Sequence, residues 1–367
     1  MAKRIIIAGG GTGGHIFPAV AIANALNKED GSIEILFVGA KGRMEMEKIP
    51  EAGYNIMGLD IAGFNRSSLI KNIGLPFKLI KSFFQVRNII NDFKPDAVVG
   101  VGGYSSFPVL RYAQARSIPS FIHESNSFAG KSNILLGKKA TAIFVATNGM
   151  ERFFPASKIT VTGNPVRRVI IKANQIDKEA ALAFFGLKPG MKTVLVVGGS
   201  LGARSINEAI NQHLDQLIEN GVQVIWQTGK ADAEKWKERT KGKSNMWVDV
   251  FIKQMENAYA AADIVISRAG AMAIAELCLV QKPVVFVPFP FATEDHQTAN
   301  AKNLVEKNAA LMVKDNEAIE KLVPVVLELI RDPQHQELLR TNISKYAVTD
   351  ADEKIAKQIL TTINNRI

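Results

Sequence analysis

The amino-acid sequence predicts an α/β fold of two Rossmann-like domains that face each other. Short β-branched runs alternate with helical patterns along most of the chain, which indicates doubly wound, mostly parallel sheets. The alternation stops around GNPVRRVIIKANQ and begins again after GLKPGMKT. The strand and glycine turn at 194–203 then repeat those at 5–14, about 190 residues earlier, which indicates domain duplication rather than a short repeat.

The predicted elements follow in order along each half of a chain of 367 residues, which is long enough for about two ordinary cores. We expect an N-terminal domain at 1–163, a C-terminal domain at 164–345, and a terminal helix at about 346–367 that packs back on the first domain. The predicted strands of the first half are KRIIIAG, IEILFVG, DAVVGVGG, SFIHE and AIFVA, with a helix through PAVAIANALN and a basic helix near 75–92. Those of the second half are VLVVGG, VQVIWQTG, MWVDVF, DIVIS and PVVFVPF.

Charge and composition limit the partners. The 45 basic and 35 acidic side chains give a formal net charge of +10, which favours nucleotides, nucleic acid or an anionic membrane surface. The single cysteine, Cys278, lies in the apolar stretch AIAELCLV, so we expect it in the core of a protein from a reducing compartment. No apolar run is long enough to span a membrane, and MAKRIIIAGG has too short an apolar region for a secretory signal, so we expect a cytoplasmic protein.

The stretch IIIAGGGTGGHIFP places a glycine-rich turn directly behind a strand. Its Gly9, Gly11 and Gly14 satisfy the dinucleotide pattern G-x-G-x-x-G. A dinucleotide site also needs an acid at the end of the second strand, where this chain has Gly-Ala-Lys, so NAD is disfavoured. The turn also lacks the Gly-Lys-Ser/Thr ending of an ATP-binding loop. What remains is a turn whose backbone N–H groups, at a helix N-terminus, form a site for phosphate oxygens.

The second glycine turn, GGSLGA, also matches the nucleophile elbow of α/β-hydrolases through Gly198-x-Ser200-x-Gly202. Asp263 and His296 follow in the chain order of a catalytic triad. However, the elbow of a hydrolase lies deep in a single sheet, whereas this turn follows the first strand of a new domain. We therefore interpret Ser200 as a hydrogen-bond donor to a phosphate.

The five histidines do not have the spacing of a metal site, and the D-x-D at Asp350 and Asp352 lies beside the terminal helix, so we expect no metal and no other cofactor. His15 and His123 both follow strand-associated segments of the first half, where open sheets place their ligands. A lone histidine is more often structural, but its place at the end of a glycine turn favours a functional role for His15.

The segment SRAGAMAIAEL predicts a strand-to-helix turn with the helix beginning near Ala271. The N-terminal dipole of that helix favours a diphosphate at Ala271 and Met272. Glu276, about one turn along, can take two hydrogen bonds from a ribose diol, although a solvated glutamate fits this segment equally well. The segment DHQTANA adds polar amides after another strand.

Together these motifs resemble those of the MurG family of peptidoglycan glycosyltransferases. GGTGGH with FPA, GVGGYSS, HESNSFAG, GNPVRR, VVGGSLGA, SRAGAMAIAEL and DHQTANA follow in family order from residue 10 to about residue 302. The resemblance implies the GT-B fold with a cleft between its two domains, and inverting transfer from UDP-N-acetylglucosamine to the C4 hydroxyl of a lipid-linked muramyl pentapeptide. It also implies cell-wall synthesis at the cytoplasmic face of the inner membrane, other cell-wall enzymes as candidate partners, and no nucleic acid.

The resemblance places the donor mainly on the second domain. Ser200 would contact the diphosphate, the backbone of Ile252 the uracil edge, and Glu276 the ribose. Gln297 would contact the sugar, and Arg167 would approach the nucleotide. Four residues of the first domain would close over the donor sugar: Thr12, Gly13, Gly14 and Asn126. The acceptor, with its diphosphate, would be bound by Gly10, Gly11, Gly102, Gly103, Tyr104 and His123.

Inverting transfer needs a general base for the muramyl C4 hydroxyl while UDP leaves from the opposite face. His15 is the candidate base, because imidazole titrates near neutrality. Alternatively, His15 donates to the acceptor diphosphate, with Glu124 or His123 supporting the chemistry. Three other functions stay open: a GT-B glycosyltransferase with another acceptor, a UDP-sugar epimerase, and a non-catalytic nucleotide-binding module.

Residues 69–90, LIKNIGLPFKLIKSFFQVRNII, are both apolar and basic. One helix face of this segment is expected in the core: Leu79, Phe83, Val86 and Ile90. The remaining apolar side chains exceed what one core stripe requires and are interleaved with cations, which is typical of contact with an anionic membrane surface. These side chains are Ile73, Leu75, Phe77, Ile80 and Phe84, with Lys71, Lys78, Lys81 and Arg87, and with Lys138 and Lys139 if the fold brings them near.

Overall fold

The structure, a computed structural model, describes residues 2–63, 74–199, 201–292 and 295–365. The chain divides into two compact units. Unit 1 comprises Met1–Arg167 with Asp350–Ile367, and unit 2 comprises Arg168–Thr349. Each unit contains a parallel sheet with helices packed on it, so the predicted fold class of two α/β domains is confirmed.

Unit 1 contains a seven-stranded parallel sheet among its described residues, in the order β3-β2-β1-β4-β5-β6-β7. Its strands are β1 (Arg4–Ala8), β2 (Glu34–Ala40), β3 (Asn55–Leu59), β4 (Ala97–Gly100), β5 (Ser120–Glu124), β6 (Ala142–Val145) and β7 (Ile159–Val161). Its helices are α1 (Gly13–Glu29), α2 (Glu45–Glu51), α3 (Leu75–Phe93), α4 (Ser106–Ala115), α5 (Lys131–Gly137) and the terminal α16 (Ala351–Asn364).

Unit 2 contains a six-stranded parallel sheet among its described residues, in the order β10-β9-β8-β11-β12-β13. Its strands are β8 (Lys192–Val197), β9 (Val222–Gln227), β10 (Met246–Asp249), β11 (Ile264–Ser267), β12 (Val284–Phe286) and β13 (Leu311–Met312). Its helices are α6 (Arg168–Ile171), α7 (Lys178–Phe184), α8 (Arg204–Gln212), α9 (Leu214–Glu219), α10 (Ala233–Thr240), α11 (Met255–Ala261), α12 (Ala271–Val280), α13 (His296–Val305), α14 (Ala318–Arg331) and α15 (Pro333–Ser344).

Strand order fixes where ligands can bind in each unit. In unit 1 the chain builds outward from β1 through β2 to β3 and then returns to pair β4 with the other side of β1. Unit 2 repeats this path with β8 and β11. Open parallel sheets bind ligands at such switch points, outside the carboxyl ends of the strands. The first glycine turn, at 9–12, follows β1, and Gly198 and Gly199 of the second follow β8, so both lie at these two places.

The terminal helix α16 packs against α1 and completes the core on one face of the unit 1 sheet. Its buried side chains Ile355, Ile359 and Ile363 join a cluster that includes Ile22 and Leu26 of α1. An ion pair between Lys28 and Glu353, 2.9 Å, lies at the edge of this contact. The helix thereby supports the helix that carries the first glycine turn.

Replacing Ile359 by alanine should lower the free energy of unfolding of unit 1 by about 2–5 kcal/mol, because the side chain is fully buried and a cavity remains. Denaturation followed by circular dichroism measures the change. The control variant is Thr361→Ala at an exposed position of the same helix, which should change stability by less than about 0.5 kcal/mol. Equal effects of the two substitutions would contradict the packing described.

Candidate active site

The first glycine turn joins β1 to α1 and has its backbone groups tied to neighbouring segments. The N–H of Gly10 donates to the carbonyl oxygen of Gly102 at 3.3 Å, and the N–H of Gly11 donates to Oε2 of Glu45 at 2.7 Å. A Cβ on Gly10 would lie 2.3 Å from the Glu45 carboxyl carbon, so only glycine fits there. Gly10 and Gly11 therefore shape the turn. The resemblance implies that they bind the acceptor diphosphate, but their N–H groups are already engaged within unit 1.

His15 lies in the first turn of α1 with its ring folded back over the glycine turn. Its Nδ1 is 3.0 Å from the carbonyl oxygen of Gly10. Because a carbonyl oxygen only accepts, Nδ1 carries the proton in the neutral ring, which leaves the lone pair on Nε2. A Cβ on Gly102 would lie 2.8 Å from Nε2, so glycine at that position keeps the ring edge clear.

The protein around His15 favours its neutral form. Burial lowers the pKa of His15 below its ordinary value, although the Gly10 carbonyl and the carboxylates of Glu124 and Glu45 oppose this shift. A neutral imidazole with its lone pair on Nε2 can accept a proton near pH 7. His15 therefore has the protonation state that a general base needs.

His123 and Glu124 end β5 beside the same turn. His123 is fully buried, and burial, followed by the nearby His15, lowers the pKa of its imidazole to about 4. Direct contact between His123 and an acceptor, which the resemblance implies, is therefore not possible in this conformation, because the side chain has no exposed surface. The histidine is a neutral group behind His15.

Glu124 accepts hydrogen bonds from several donors of the 126–133 segment. Its Oε1 accepts from the backbone and side-chain nitrogens of Asn126, at 3.1 and 3.3 Å. Its Oε2 accepts from the N–H of Gly130 at 3.1 Å and from Nδ2 of Asn133 at 2.8 Å. With both oxygens engaged, Glu124 holds Asn126 in place.

The loop after β4 lies against the first turn. The hydroxyl of Ser106 is 2.7 Å from the carbonyl oxygen of Ala8 and 2.9 Å from that of Gly102, so it joins the ends of β1 and β4. A Cβ on Gly103 would lie 2.4 Å from the Gly10 carbonyl oxygen. Tyr104 follows with a half-exposed ring, in a position open to a ligand.

In unit 2 the glycine turn before α8 has the same close approach to a neighbouring backbone, while Ser200 lies outside the described residues. A Cβ on Gly202 would lie 2.2 Å from the Thr228 carbonyl oxygen. The side chain of Gln227, at the end of β9, donates to the Gly199 carbonyl at 3.0 Å and accepts from the N–H of Ile252 at 3.0 Å. The N–H of Ile252 is therefore engaged within unit 2.

The hydrolase alternative fails on the position of Asp263. Its carboxylate accepts from Lys178 at 2.7 Å and from the N–H of Thr193 at 2.9 Å, at the amino ends of β11 and β8. The glycine turn and His296 lie at the carboxyl ends of their strands, at least about 10 Å away along β11. The three groups therefore do not form a triad.

Glu276 lies in the second turn of α12, with Ala271 and Met272 in the first. Its side chain is largely buried, and its Oε2 accepts from the hydroxyl of Tyr259 at 2.9 Å. The solvated glutamate that the sequence also allowed is therefore wrong. On α13, Oε1 of Gln297 accepts from the N–H of Phe289 at 3.0 Å, which fixes the amide of this half-buried side chain.

Arg268, between β11 and α12, joins four segments of unit 2. Its guanidinium donates to the carbonyls of Val287 and Pro288 at 3.0 and 3.1 Å, forms an ion pair with Asp315, and lies 3.2 Å from the Ser205 hydroxyl. It borders a groove of about 750 Å³. The described lining of this groove includes Gly202, Arg204, Phe289 and Phe291 but not Ile252, Glu276 or Gln297.

Arg167 belongs to unit 1, and its guanidinium lies over the ring of Phe17 at 4.2 Å from the centroid. Phe17 is two residues beyond His15 on α1, so Arg167 brings a cation to the same end of the helix. Over the described ranges, no group of three His, Cys, Asp or Glu side chains has the arrangement of a metal site.

The basic helix predicted near 75–92 is α3. Of its predicted core face, Val86 and Ile90 are buried, whereas Leu79 and Phe83 are only half-buried. The opposite face exposes Phe77 by 76%, Ile80 by 56% and Phe84 by 61%. Leu75 is half-buried, and Lys78 and Arg87 are exposed, as are Lys138 and Lys139 directly after α5. Lys81 differs from expectation, because it forms an ion pair with Asp60 at 2.9 Å. Lys71 and Ile73 lie outside the described residues.

No helix in the described part of the chain is long and apolar enough to cross a membrane.

Two parallel-sheet units, each with a glycine turn at its switch point, have the architecture of GT-B glycosyltransferases. The chain belongs to glycosyltransferase family 28: residues 5–145 match the N-terminal domain of that family and residues 193–359 its C-terminal domain.

Named relatives cover nearly the whole chain. The UDP-N-acetylglucosamine–N-acetylmuramyl-(pentapeptide) pyrophosphoryl-undecaprenol N-acetylglucosamine transferase of Phocaeicola vulgatus is 52% identical over 97% of this chain and 95% of its own length. The transferase of the same name from Parabacteroides distasonis is 51% identical over 99% of each chain. The crystal structure of Acinetobacter baumannii MurG is similar with a TM-score of 0.74 at 28% identity, over 98% of this chain and 99% of that one.

We predict that His15 is neutral at pH 7 with its proton on Nδ1, because the Gly10 carbonyl fixes the tautomer and burial lowers the pKa. NMR of the ring nitrogens during a pH titration measures both, and the His15→Asn variant assigns the signal by its loss. A proton on Nε2, or a midpoint above 6.5, would contradict the geometry described.

Proposed function

We propose that this chain transfers N-acetylglucosamine from UDP-N-acetylglucosamine to the C4 hydroxyl of undecaprenyl-pyrophosphoryl-N-acetylmuramyl pentapeptide, which converts lipid I to lipid II in peptidoglycan synthesis. The observation that carries the proposal is the identity of about half of all residues with transferases named for this reaction, over nearly the full chain. The placement of the glycine turns, His15 and Glu276 at strand ends supports it.

Unit 2 holds the donor in this proposal. The carboxylate of Glu276 accepts hydrogen bonds from the ribose hydroxyls, and the Ile252 carbonyl accepts from the uracil N–H. The diphosphate lies at Ser200 and at the N-terminus of α12, around Ala271 and Met272, where the helix dipole favours an anion. Gln297 contacts the sugar through the amide nitrogen that Phe289 leaves available.

Unit 1 supplies the acceptor site and the base in this proposal. Thr12, Gly13 and Gly14, at the N-terminus of α1, and Asn126, held by Glu124, contact the donor sugar. The loop containing Gly102, Gly103 and Tyr104 binds the acceptor, and Arg167 adds positive charge for the nucleotide. Gly10 and Gly11 serve by shaping the first turn.

The reaction is a single displacement at the anomeric carbon of the donor. Nε2 of His15 takes the proton of the muramyl C4 hydroxyl as its oxygen bonds to that carbon, and the bond between the carbon and the diphosphate oxygen breaks. The electron pair leaves with UDP, whose charge is stabilised by the α12 N-terminus, Ser200 and Arg167. General base catalysis of this kind is worth about 10²- to 10⁴-fold.

The test of the function is turnover with a water-soluble, short-chain analogue of the lipid-linked muramyl pentapeptide. We expect UDP and the β-linked disaccharide product in equal amounts. An epimerase would convert UDP-N-acetylglucosamine without an acceptor, and a binding module would bind it without turnover. Either outcome, or turnover only with a different acceptor, would contradict the proposal.

Glu276→Ala should raise the KM for UDP-N-acetylglucosamine roughly 10- to 150-fold, because hydrogen bonds to a charged group are worth about 1.5–3 kcal/mol. Tyr259→Phe should raise it less, since it removes one bond that orients the carboxylate. The control is Glu320→Ala at an exposed position of α14. An unchanged donor KM in a folded Glu276→Ala variant would remove this residue from the donor site.

We also propose that the exposed face of α3 holds the enzyme on the anionic cytoplasmic leaflet, as a peripheral protein beside its lipid-linked acceptor. Phe77, Ile80 and Phe84 lie three and four residues apart, so they form one apolar strip on the exposed side. Lys78 and Arg87 flank the strip, and each cation near an anionic leaflet contributes about 1 kcal/mol. Because Lys81 is paired with Asp60, the apolar strip and these two cations carry the proposal.

Replacing Phe77 and Phe84 together by serine should weaken binding to anionic vesicles at least about tenfold, because each buried phenylalanine contributes about 1.5–3 kcal/mol. Activity on the water-soluble acceptor should not change. The control is Phe184→Ser, a half-exposed phenylalanine on α7 of unit 2. Vesicle binding that is as strong as in the wild type would contradict the membrane proposal and leave the transfer reaction unaffected.

A further inference from the structure

Glu45, at the start of α2, is a buried carboxylate beside the first glycine turn. The side chain is 1% exposed. Its Oε2 accepts from the N–H of Gly11 at 2.7 Å, and its Oε1 accepts from the N–H of Ala40 at the end of β2 at 2.9 Å. Missing Cβ atoms at Gly10 and Gly39 make room for it, since a Cβ on either would lie within 2.5 Å of its side chain. The backbone is thus built around this carboxylate.

The carboxylate and His15 bind opposite ends of one peptide group. The carbonyl of Gly10 and the N–H of Gly11 belong to the same planar unit. Glu45 accepts from the N–H end at 2.7 Å, and Nδ1 of His15 donates to the carbonyl end at 3.0 Å. Any rotation of this peptide would break both hydrogen bonds. The orientation of the His15 ring is therefore coupled to the position of the Glu45 carboxylate.

The charge of Glu45 polarises the Gly10–Gly11 peptide, and this polarisation affects His15. A carboxylate that accepts from an N–H polarises the peptide and makes its carbonyl a stronger acceptor. A stronger acceptor at Nδ1–H holds the proton there and raises the electron density on Nε2. In a catalytic triad a carboxylate binds the histidine directly and orients it. Glu45 has a similar role here, but it acts through one intervening peptide group.

We propose that Glu45 is a positioning residue that acts on His15 through the Gly10–Gly11 peptide, fixing its tautomer and raising its basicity. The proposal rests on the proposed function, in which His15 is the base. Within the described residues, the charged and titratable groups that act on His15 are Glu45 from α2 and His123 and Glu124 from β5, and Glu124 accepts from four donors. Gly102, on the loop after β4, brings no charge to the ring.

The test compares Glu45→Gln with Glu47→Gln, an exposed glutamate two residues along the same helix that pairs with Lys48. A glutamine at 45 keeps the volume but loses the charge and turns an N–H₂ group toward one of the two backbone donors. We expect kcat to fall about 10- to 100-fold, the usual effect of removing a group that orients a histidine in metal sites. Glu47→Gln should leave kcat unchanged.

NMR titration of His15 without substrates separates positioning from a merely structural role. Removing the anion destabilises the imidazolium, so the midpoint of His15 should move to lower pH in Glu45→Gln, and the acidic limb of the pH–rate profile should move with it. A folded Glu45→Gln variant in which the His15 midpoint, tautomer and acidic limb match the wild type would overturn the proposal, whatever its kcat.

Glu45→Asp is the second variant, in case the glutamine variant does not fold. It keeps the charge, but its shorter side chain cannot reach both N–H groups, so we expect a lower kcat with a smaller movement of the His15 midpoint. An aspartate variant identical to the wild type in kcat and midpoint would overturn the proposal. Full activity of His15→Asn would instead refute His15 as the base, while the coupling of Glu45 to the His15 titration would still be measurable.

Discussion

The structure depends on the approach of one backbone segment to another at the switch point of each sheet. In unit 1 a Cβ on Gly103 would lie 2.4 Å from the Gly10 carbonyl oxygen, and in unit 2 a Cβ on Gly229 would lie 2.2 Å from the Gly202 nitrogen. Neither approach is possible with a side chain present. The turns so formed place a helix N-terminus, and in unit 1 the ring of His15, at the carboxyl ends of the strands, where phosphate-bearing ligands bind in open parallel sheets.

Buried polar side chains then fix each turn. Glu45 holds the first turn from α2, Glu124 holds the segment that contains Asn126, and Gln227 joins the Gly199 carbonyl to the N–H of Ile252. These groups are almost completely buried, and each satisfies two or more backbone or amide partners. If these buried backbone groups had no hydrogen-bond partner, each would lower the free energy of unfolding by about 1–3 kcal/mol. Backbone groups fixed in this way favour electrostatic stabilisation of a leaving diphosphate.

The sequence predicts the central strands well and the edge strands poorly. Runs such as KRIIIAG are buried on both faces, and their apolar composition indicates this. The edge strands β3, β7 and β13 are not predicted, because they are partly exposed, whereas the edge strand β10 lies in the predicted run MWVDVF. Motifs predict His15 and Glu276 as candidate site residues, since glycine turns and helix starts leave a pattern. Glu45 and Gln227 leave none, because neither Glu45 in RMEMEK nor Gln227 in VIWQ gives any sign of the distant N–H group that it accepts from. The pairing of Lys81 with Asp60 depends in the same way on tertiary structure.

The central claim is that a neutral His15, fixed by the first glycine turn, removes the proton from the acceptor hydroxyl. The most direct measurement is kcat as a function of pH for the wild type and for His15→Asn, with the donor KM determined at each pH. We predict an acidic limb in the wild type, a loss of about 10²- to 10⁴-fold in kcat without that limb in the variant, and an unchanged donor KM. A variant that keeps the acidic limb, or that loses donor affinity instead of kcat, would contradict the claim.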